Sequence, residues 1–358
     1  MPEASVSLRQ VFSRDRGGLA SLVVLVLISL ACIFGPMMSP HPYDRVYSDY
    51  VLAPASLHAH PFPGELEQAR SVLAARMRAD VRFETVAGGM AVVVASSRAL
   101  DPRVTRALER SDILRPTGPA VSADDGRRLT IPIEIKRNRF PFGTDANGRD
   151  LLTRLLVAGR ISLAVGLLAS AVALGIGVAY GAVAGYAGGR VDGVMMRIVD
   201  VIYALPFIFF VIVLVMILGR SIALIFVAIG AVEWLDMARI VRGQTLSLKV
   251  RDFVLAAQAL GASDRAILTR HILPNMSGAI VAYLGLLVPR VILAESFLSF
   301  LGLGVQEPLA SWGILISDGA RNIQGAVHLL VFPALFLAIT LVAAQRLGEA
   351  LRAASLRE

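Results

Sequence analysis

Apolar residues fall in long blocks rather than in the short alternations of a soluble domain. Such runs cover residues 19–35, 161–187, 201–219, 221–232, 276–305 and 325–344. A bilayer-crossing helix needs roughly 20 predominantly apolar residues. The second and third runs carry no charge. The fourth is short, but it extends towards Ala238 if Glu233 and Asp236 lie as solvated charges at its end. Only Arg290 and Glu295 interrupt the fifth. The pattern predicts six transmembrane helices in an all-α polytopic membrane protein. Arg9, Arg14 and Arg16 precede the first run, as in a secretory signal, but no A-x-A-like site follows it. An uncleaved first helix is therefore expected.

Residues 39–160 read differently. A helix is expected over 64–78, and strands over 81–87 and 90–95 meet at Gly88-Gly89, a hairpin-type junction. A short helix over 101–110 has Asp101 as its cap and Pro102 at its first position. Residues 129–135 alternate like another strand. The segment is a small α+β domain.

Composition agrees with the block pattern. The 358 residues are 56% hydrophobic and only 17% charged, with a mean hydropathy of +0.67. That is too apolar for an ordinary soluble domain. The net charge of +8 raises nucleic acid as a partner, but no zinc spacing or long Lys/Arg run supports it. Basic membrane-flanking loops account for the charge instead. Arginines cluster at Arg190 and Arg197, from Arg239 to Arg270, and from Arg346 to Arg357, whereas the short loops of the opposite side hold Arg220 and Arg321. Both termini are thus expected in the cytoplasm. The single cysteine, Cys32, excludes an intrachain disulfide framework.

Catalytic chemistry finds no support. A P-loop lysine must follow glycine, and the two lysines follow Ile135 and Leu248. No Ser-His-Asp order, H-E-x-x-H or G-x-S-x-G occurs, and the histidines lack zinc-site spacing. His58 and His60 offer at most a weak metal pair, so no metal or cofactor is expected. Asp145 and Arg149 have the i,i+4 spacing of a helical ion pair and read as a structural motif. Arg290 and Glu295, deep in a span, face either the bundle interior or an aqueous pathway. Five residues apart, they sit about 140° around a helix, so pairing with other helices is the alternative to a pathway role.

One polar stretch, "FVLAAQALGASDRAILTRHILPN", lies between two apolar runs. Phe253, Ala256, Ala257, Leu260, Ile267, Leu268 and His271 fall broadly on one side at helical spacing. Gly261 is placed to end a first helix, Ser263 to cap a second with Asp264 in its first turn, and Pro274 to stop it. Either a close-fitting protein surface or the lipid headgroups can receive such a face.

Two motifs carry a resemblance. "AAQALGASDRAILTRHILPN" resembles the cytoplasmic coupling loop of ABC-importer permeases, with Ala256, Ala257, Gly261 and Pro274 in its frame and Ala262, Asp264 and His271 within it. Leu255 stands where the family has a glutamate. "FGTDANGRDLLTRLLVAGRISL" resembles the segment before the second span of dipeptide, oligopeptide and nickel permeases, through Gly143, Thr144, Asp145, Gly148, Arg149 and Asp150. The likeness covers about residues 12–62 and 141–352 and is nearest the C-type subunit. A run continuous in that family breaks after Phe62 and resumes at Pro141, which implies an insertion of about residues 63–140.

The resemblance implies a permease subunit of an ATP-driven importer in a bacterial inner membrane, for di- or oligopeptides, or for nickel or another small solute. It implies a homologous permease partner, two ATPases that bind the ATP, and a periplasmic solute-binding protein. On this view residues 1–18 and 350–358 are cytoplasmic, 19–38 form the first span, and 39–160 are periplasmic. Residues 161–349 form the permease domain, with the coupling loop at 250–274. An ATPase-independent secondary transporter is the reading from a different class.

Overall fold

The computed structural model describes residues 15–86, 89–98, 100, 104–219 and 221–355. The chain divides into two compact units. One comprises Met1–Ser39, Leu155–Arg321 and Leu330–Glu358, the other Pro40–Arg154 and Asn322–Leu329.

The first unit is helical. Helix α1, Arg16–Met38, starts at Asp15, whose carboxylate accepts from Gly17 N at 2.9 Å and Gly18 N at 3.1 Å. Among the described residues, four helices are long and apolar enough to cross a membrane: Arg16–Met38, Leu151–Ala187, Ser277–Phe300 and His328–Ala354. A fifth span arises if Gly189–Tyr203 and Phe207–Ile217, bent by 80°, count as one. The expected six are thus matched in part.

The run at 201–219 is not one straight helix, because Pro206 lacks an N–H and disfavours helical geometry at Leu205. The helix Gly189–Tyr203 ends there and Phe207–Leu218 begins. The fourth run also differs: Ile222–Leu248 is a single helix of 27 residues that carries Glu233 and Asp236 well inside it.

Small residues let these helices approach closely. A Cβ at Gly177 would meet Met237 Cβ at 2.6 Å, one at Gly181 would meet Ala238 O at 2.3 Å, and one at Gly185 would meet Arg242 O at 2.8 Å. These glycines recur every fourth residue along Leu151–Ala187, so they form one close seam against Ile222–Leu248. Buried Val165, Ala169, Ile229, Leu235, Leu287 and Val291 form the principal core.

The second unit is α+β. Helix Pro63–Met77 precedes the antiparallel hairpin of β1, Asp80–Val86, and β2, Gly89–Ala95. A short helix Val104–Glu109, strands β3 (Leu114–Pro116) and β4 (Val121–Ala123), and β5 (Arg128–Ile135) complete it. The sheet order is β1-β2-β5-β3, with β4 also pairing β5. The helix at 64–78 and the strands at 81–87, 90–95 and 129–135 were legible in the pattern. Asp101, Pro102 and Gly88 lie outside the described residues. Strands β3 and β4, three residues each, carry no periodic signal.

Leu129, Ile131 and Ile133 alternate inward and join Val81, Val92, Val94, Leu108 and Leu114 in a core of their own. Tyr47, Tyr50 and Phe140 belong to the same core, so the implied insertion shares its interior with the flanking chain. Its two ends meet: His60 N donates to Asn138 O at 2.7 Å and Asn138 N to His60 O at 3.1 Å.

Candidate functional site

The polar stretch forms two short helices with a defined joint. The first is Asp252–Ala259. Beyond it, Gly261 adopts φ +78, a conformation that costs glycine little. Gly261 N donates to Gln258 O at 2.9 Å and Ala262 N to Ala257 O at 3.0 Å. Those two bonds are the paired closure of a Schellman ending.

Ser263 caps the second helix, Asp264–Ile267, accepting from Ala266 N at 3.4 Å. The expected stop at Pro274 is not found. A π-helical turn, Leu268–Ile272, carries the chain into Leu273–Asn275. Proline cannot donate to the carbonyl four residues back and its ring crowds it. The wider turn relieves that conflict. The break comes two residues later, at Met276, with φ −104 and ψ 4, just before Ser277–Phe300.

The loop seats one of its faces against the long helices. Val254, Ala257, Ile267, Ile272 and Met276 are buried against Ala182, Met237 and Val241. Phe253, Ala256 and Leu260 face outward instead, Leu260 being 88% exposed. Of the residues that share one side at helical spacing, Ala257 and Ile267 are buried in this seat, and Phe253, Ala256 and Leu260 remain open to a partner surface. Asp264 is exposed, while Ala262 and His271 are half-buried.

Polar contacts reinforce this apolar seat. Tyr186, at the end of Leu151–Ala187, donates to Asp264 Oδ1 at 2.9 Å. Lys249 Nζ donates to Gly185 O at 3.1 Å. Neither Tyr186 nor Lys249 was singled out by sequence, since a lone tyrosine at the end of an apolar run carries no signal.

The motif at 143–150 is a tight turn rather than a helical ion pair. Asp145 Oδ1 accepts from Asn147 N at 2.8 Å and Arg149 N at 2.9 Å, and Oδ2 accepts from Arg149 Nε at 2.8 Å. Arg154 Nε lies 3.3 Å from the same oxygen. Gly143 and Gly148 both have φ +78. A Cβ at Gly148 would stand 2.2 Å from Tyr47 O, and one at Gly143 2.5 Å from Ala53 O. The Thr144 hydroxyl donates to Tyr50 O and accepts from Ala53 N. Asp150 caps the following helix through Thr153 N at 2.8 Å and Thr153 Oγ1 at 2.6 Å. Burial pushes its carboxyl above the usual range, against those hydrogen bonds. The cluster organises backbone.

Arg290 and Glu295 do not pair with each other. Arg290 Nη1 donates to Asp236 Oδ2 at 2.6 Å, and its Nε lies 3.4 Å from Glu233 Oε2. Glu233 and Asp236 are therefore not end charges, as their place in the sequence suggested, but partners on a neighbouring helix. Glu295 is fully buried and accepts from Ser162 Oγ at 2.9 Å and Ser299 Oγ at 2.7 Å. Among the described residues no group of three His, Cys, Asp or Glu side chains is placed to hold a metal. His60 is buried with Nδ1 2.8 Å from Glu65, while His58 is exposed.

Comparison with known proteins follows the same segments. The family described as binding-protein-dependent transport system inner membrane component matches residues 177–353. The N-terminal transmembrane domain of oligopeptide transport permease C matches residues 7–55. The chain is 54% identical over 211 residues to the oligopeptide transport system permease protein OppC of Haemophilus influenzae, covering 59% of this chain and 68% of that protein. It is 58% identical over 211 residues to OppC of Escherichia coli K12, covering 59% and 70%. Against the dipeptide transport system permease protein DppC of Bacillus subtilis it is 48% identical over 212 residues, covering 59% and 66%.

Proposed function

Because the chain belongs to the family of binding-protein-dependent transport system inner membrane components, we propose that it is the C-type permease subunit of an ATP-driven importer of di- and oligopeptides. Peptide is favoured over nickel or another small solute because the relatives are named for oligopeptides and dipeptides.

The observation that carries the mechanism is the seat of Asp252–Ala259. Its inner face, Val254 and Ala257, is packed under the helices Leu151–Ala187 and Ile222–Leu248. Its outer face presents Phe253, Ala256 and Leu260. An ATPase gripping that outer face moves the joined helices, and the buried inner face passes the motion to two long helices. Small residues at the contact allow a close fit, and exposed Phe253 and Leu260 supply apolar area to bury.

In this reading both termini and the coupling loop are cytoplasmic, six spans cross the inner membrane, and residues 39–160 are periplasmic. A homologous permease completes the pathway, two ATPases bind and hydrolyse ATP, and a solute-binding protein delivers the peptide. No covalent chemistry is assigned to this chain.

Reconstitution with its cognate subunits in proteoliposomes tests the proposal. Uptake of a labelled tripeptide should require ATP, the ATPases and the binding protein. Peptide uptake by this chain without any ATPase would overturn it in favour of a secondary transporter.

A further inference from the structure

The first and last helices of the chain meet at one end and part further in. A Cβ at Gly18 would stand 2.7 Å from Ala350 Cβ, so Arg16–Met38 and the final helix, His328–Ser355, touch there. The next close approach of the first helix is at Cys32, whose Sγ would stand 2.4 Å from a Cβ at Gly159. Between those contacts lies a groove of about 360 Å³. Ala20 and Val24 line one wall, and Ala338, Ile339, Val342 and Ala343 line the other. Ala343 is buried at the floor, whereas Val342 is 62% exposed at the rim.

Helical spacing ties this groove to charge. Arg16 stands four residues before Ala20, and Arg346 stands three residues after Ala343 and four after Val342. Residues at those spacings share a helix face. The contacts pair rising numbers on the first helix with falling numbers on the last, so the two run antiparallel. Both arginines therefore stand at the same mouth of the groove. Arg346 Nη1 lies 3.6 Å from Glu349 Oε2 and its side chain is 71% exposed, a loose surface pair that leaves its donors available. Arg16 is exposed as well. Asp15, beside it in the chain, is turned towards Gly17 N and Gly18 N.

Shape and charge together select the occupant. A helix with its side chains is about 10–12 Å across, too thick for a groove of this volume, whereas an acyl chain is thin and flexible. Guanidinium groups bind phosphate through paired N–H donors, and basic pockets between membrane helices receive anionic headgroups. We propose that the groove holds one acyl chain of an anionic phospholipid, whose phosphate is bound by Arg16 and Arg346. The lipid fills the gap between Gly18 and Cys32 and braces the first helix against the last. Its place in the cytoplasmic leaflet rests on the topology of the functional reading.

The test is native mass spectrometry of the complete importer, titrated in detergent with dioleoyl phosphatidylglycerol or dioleoyl phosphatidylcholine. The first phosphatidylglycerol should bind at least about fivefold tighter than phosphatidylcholine, the worth of one arginine beside an anionic lipid. Arg16→Gln and Arg346→Gln should each lower that preference, and the double variant should erase it. Ala20→Leu fills the groove, leaves both arginines in place and should weaken phosphatidylglycerol severalfold. Equal binding of the two lipids by wild type, or a preference kept by the double variant, overturns the inference. So does unchanged binding by Ala20→Leu, which would mean that the headgroup alone is held at the surface. A benzophenone amino acid in place of Ser21, which also lines the groove, should crosslink to lipid. Its capture of the homologous permease instead would make the groove a helix seat and overturn the inference. Lipid binding is read without transport, so a failure of peptide uptake would bear on the functional reading alone.

Discussion

The Tyr186 hydroxyl donates to Asp264 Oδ1 across 2.9 Å, joining the end of a 37-residue helix to the first turn of the helix Asp264–Ile267. On the other side of the loop, the path to Ser277–Phe300 runs through a π-helical turn and the break at Met276. The loop is thus fastened to one long helix and jointed to the next. A push on Asp252–Ala259 passes more directly to Leu151–Ala187 than to Ser277–Phe300.

Removing that fastening should uncouple the importer. Tyr186→Phe and Asp264→Ala are each expected to lower peptide uptake per ATP hydrolysed by about two- to tenfold, the worth of one hydrogen bond. The double variant should be no worse than either single one, since both remove the same interaction. Additive losses in proteoliposome assays would show that the two side chains act separately.

The joint itself should be more sensitive. Gly261→Pro forces φ near −65° where the chain has +78, so the Schellman closure cannot form. Uptake should be abolished while the protein still inserts and purifies with its partner permease. Leu255→Glu should be tolerated, because Leu255 is 49% exposed and restores the acid usual in similar permeases. Normal transport by Gly261→Pro would remove the coupling role assigned to this stretch.

Glu295 should behave as a structural residue. Glu295→Gln keeps an acceptor for one of the Ser162 and Ser299 hydroxyls, which donate to different carboxylate oxygens, turns an amide donor to the other hydroxyl oxygen, and should transport normally. Glu295→Ala leaves those buried hydroxyls unsatisfied and opens a cavity, a loss of about 2–4 kcal/mol. Thermal unfolding in detergent should show a clearly lower midpoint for the alanine variant alone.

Gly148→Ala should destabilise the α+β unit. Its Cβ would stand 2.2 Å from Tyr47 O at a φ of +78, which combines backbone strain with overpacking at about 2 kcal/mol or more. Limited proteolysis of the full chain should cut faster within residues 40–154 and no faster elsewhere.

The segment that the family resemblance implies to be inserted can be excised with its ends preserved. Replacing residues 66–135 by a short glycine linker keeps His60, Glu65 and Asn138, which hold the closing bridge. The helices of the other unit should remain inserted. Capture of the loaded binding protein should weaken at least severalfold, because on the topology proposed above this folded unit faces that partner. Unchanged capture and uptake would make it a passenger.

Membrane character, the α+β segment and the two-helix loop with its Gly261 joint were all determined by the sequence. Each rests on local chemistry: span-length apolar runs, period-two alternation, and a glycine where the chain turns left-handed. The family likeness was equally legible, because the frame of Ala256, Ala257, Gly261 and Pro274 is short and contiguous. What only the tertiary structure decided depends on neighbours distant in the chain. Val254 rather than Phe253 faces inward because Ala182, Met237 and Val241 offer the seat. Glu233 and Asp236 look like end charges until a helix whose Arg290 lies 54 residues beyond Asp236 presents that arginine beside them. Asp145 and Arg149 have helical spacing, yet Gly148 folds them into a turn in which the same two groups meet. Spacing specifies which residues can share a face, but the packing partner selects the face that is buried.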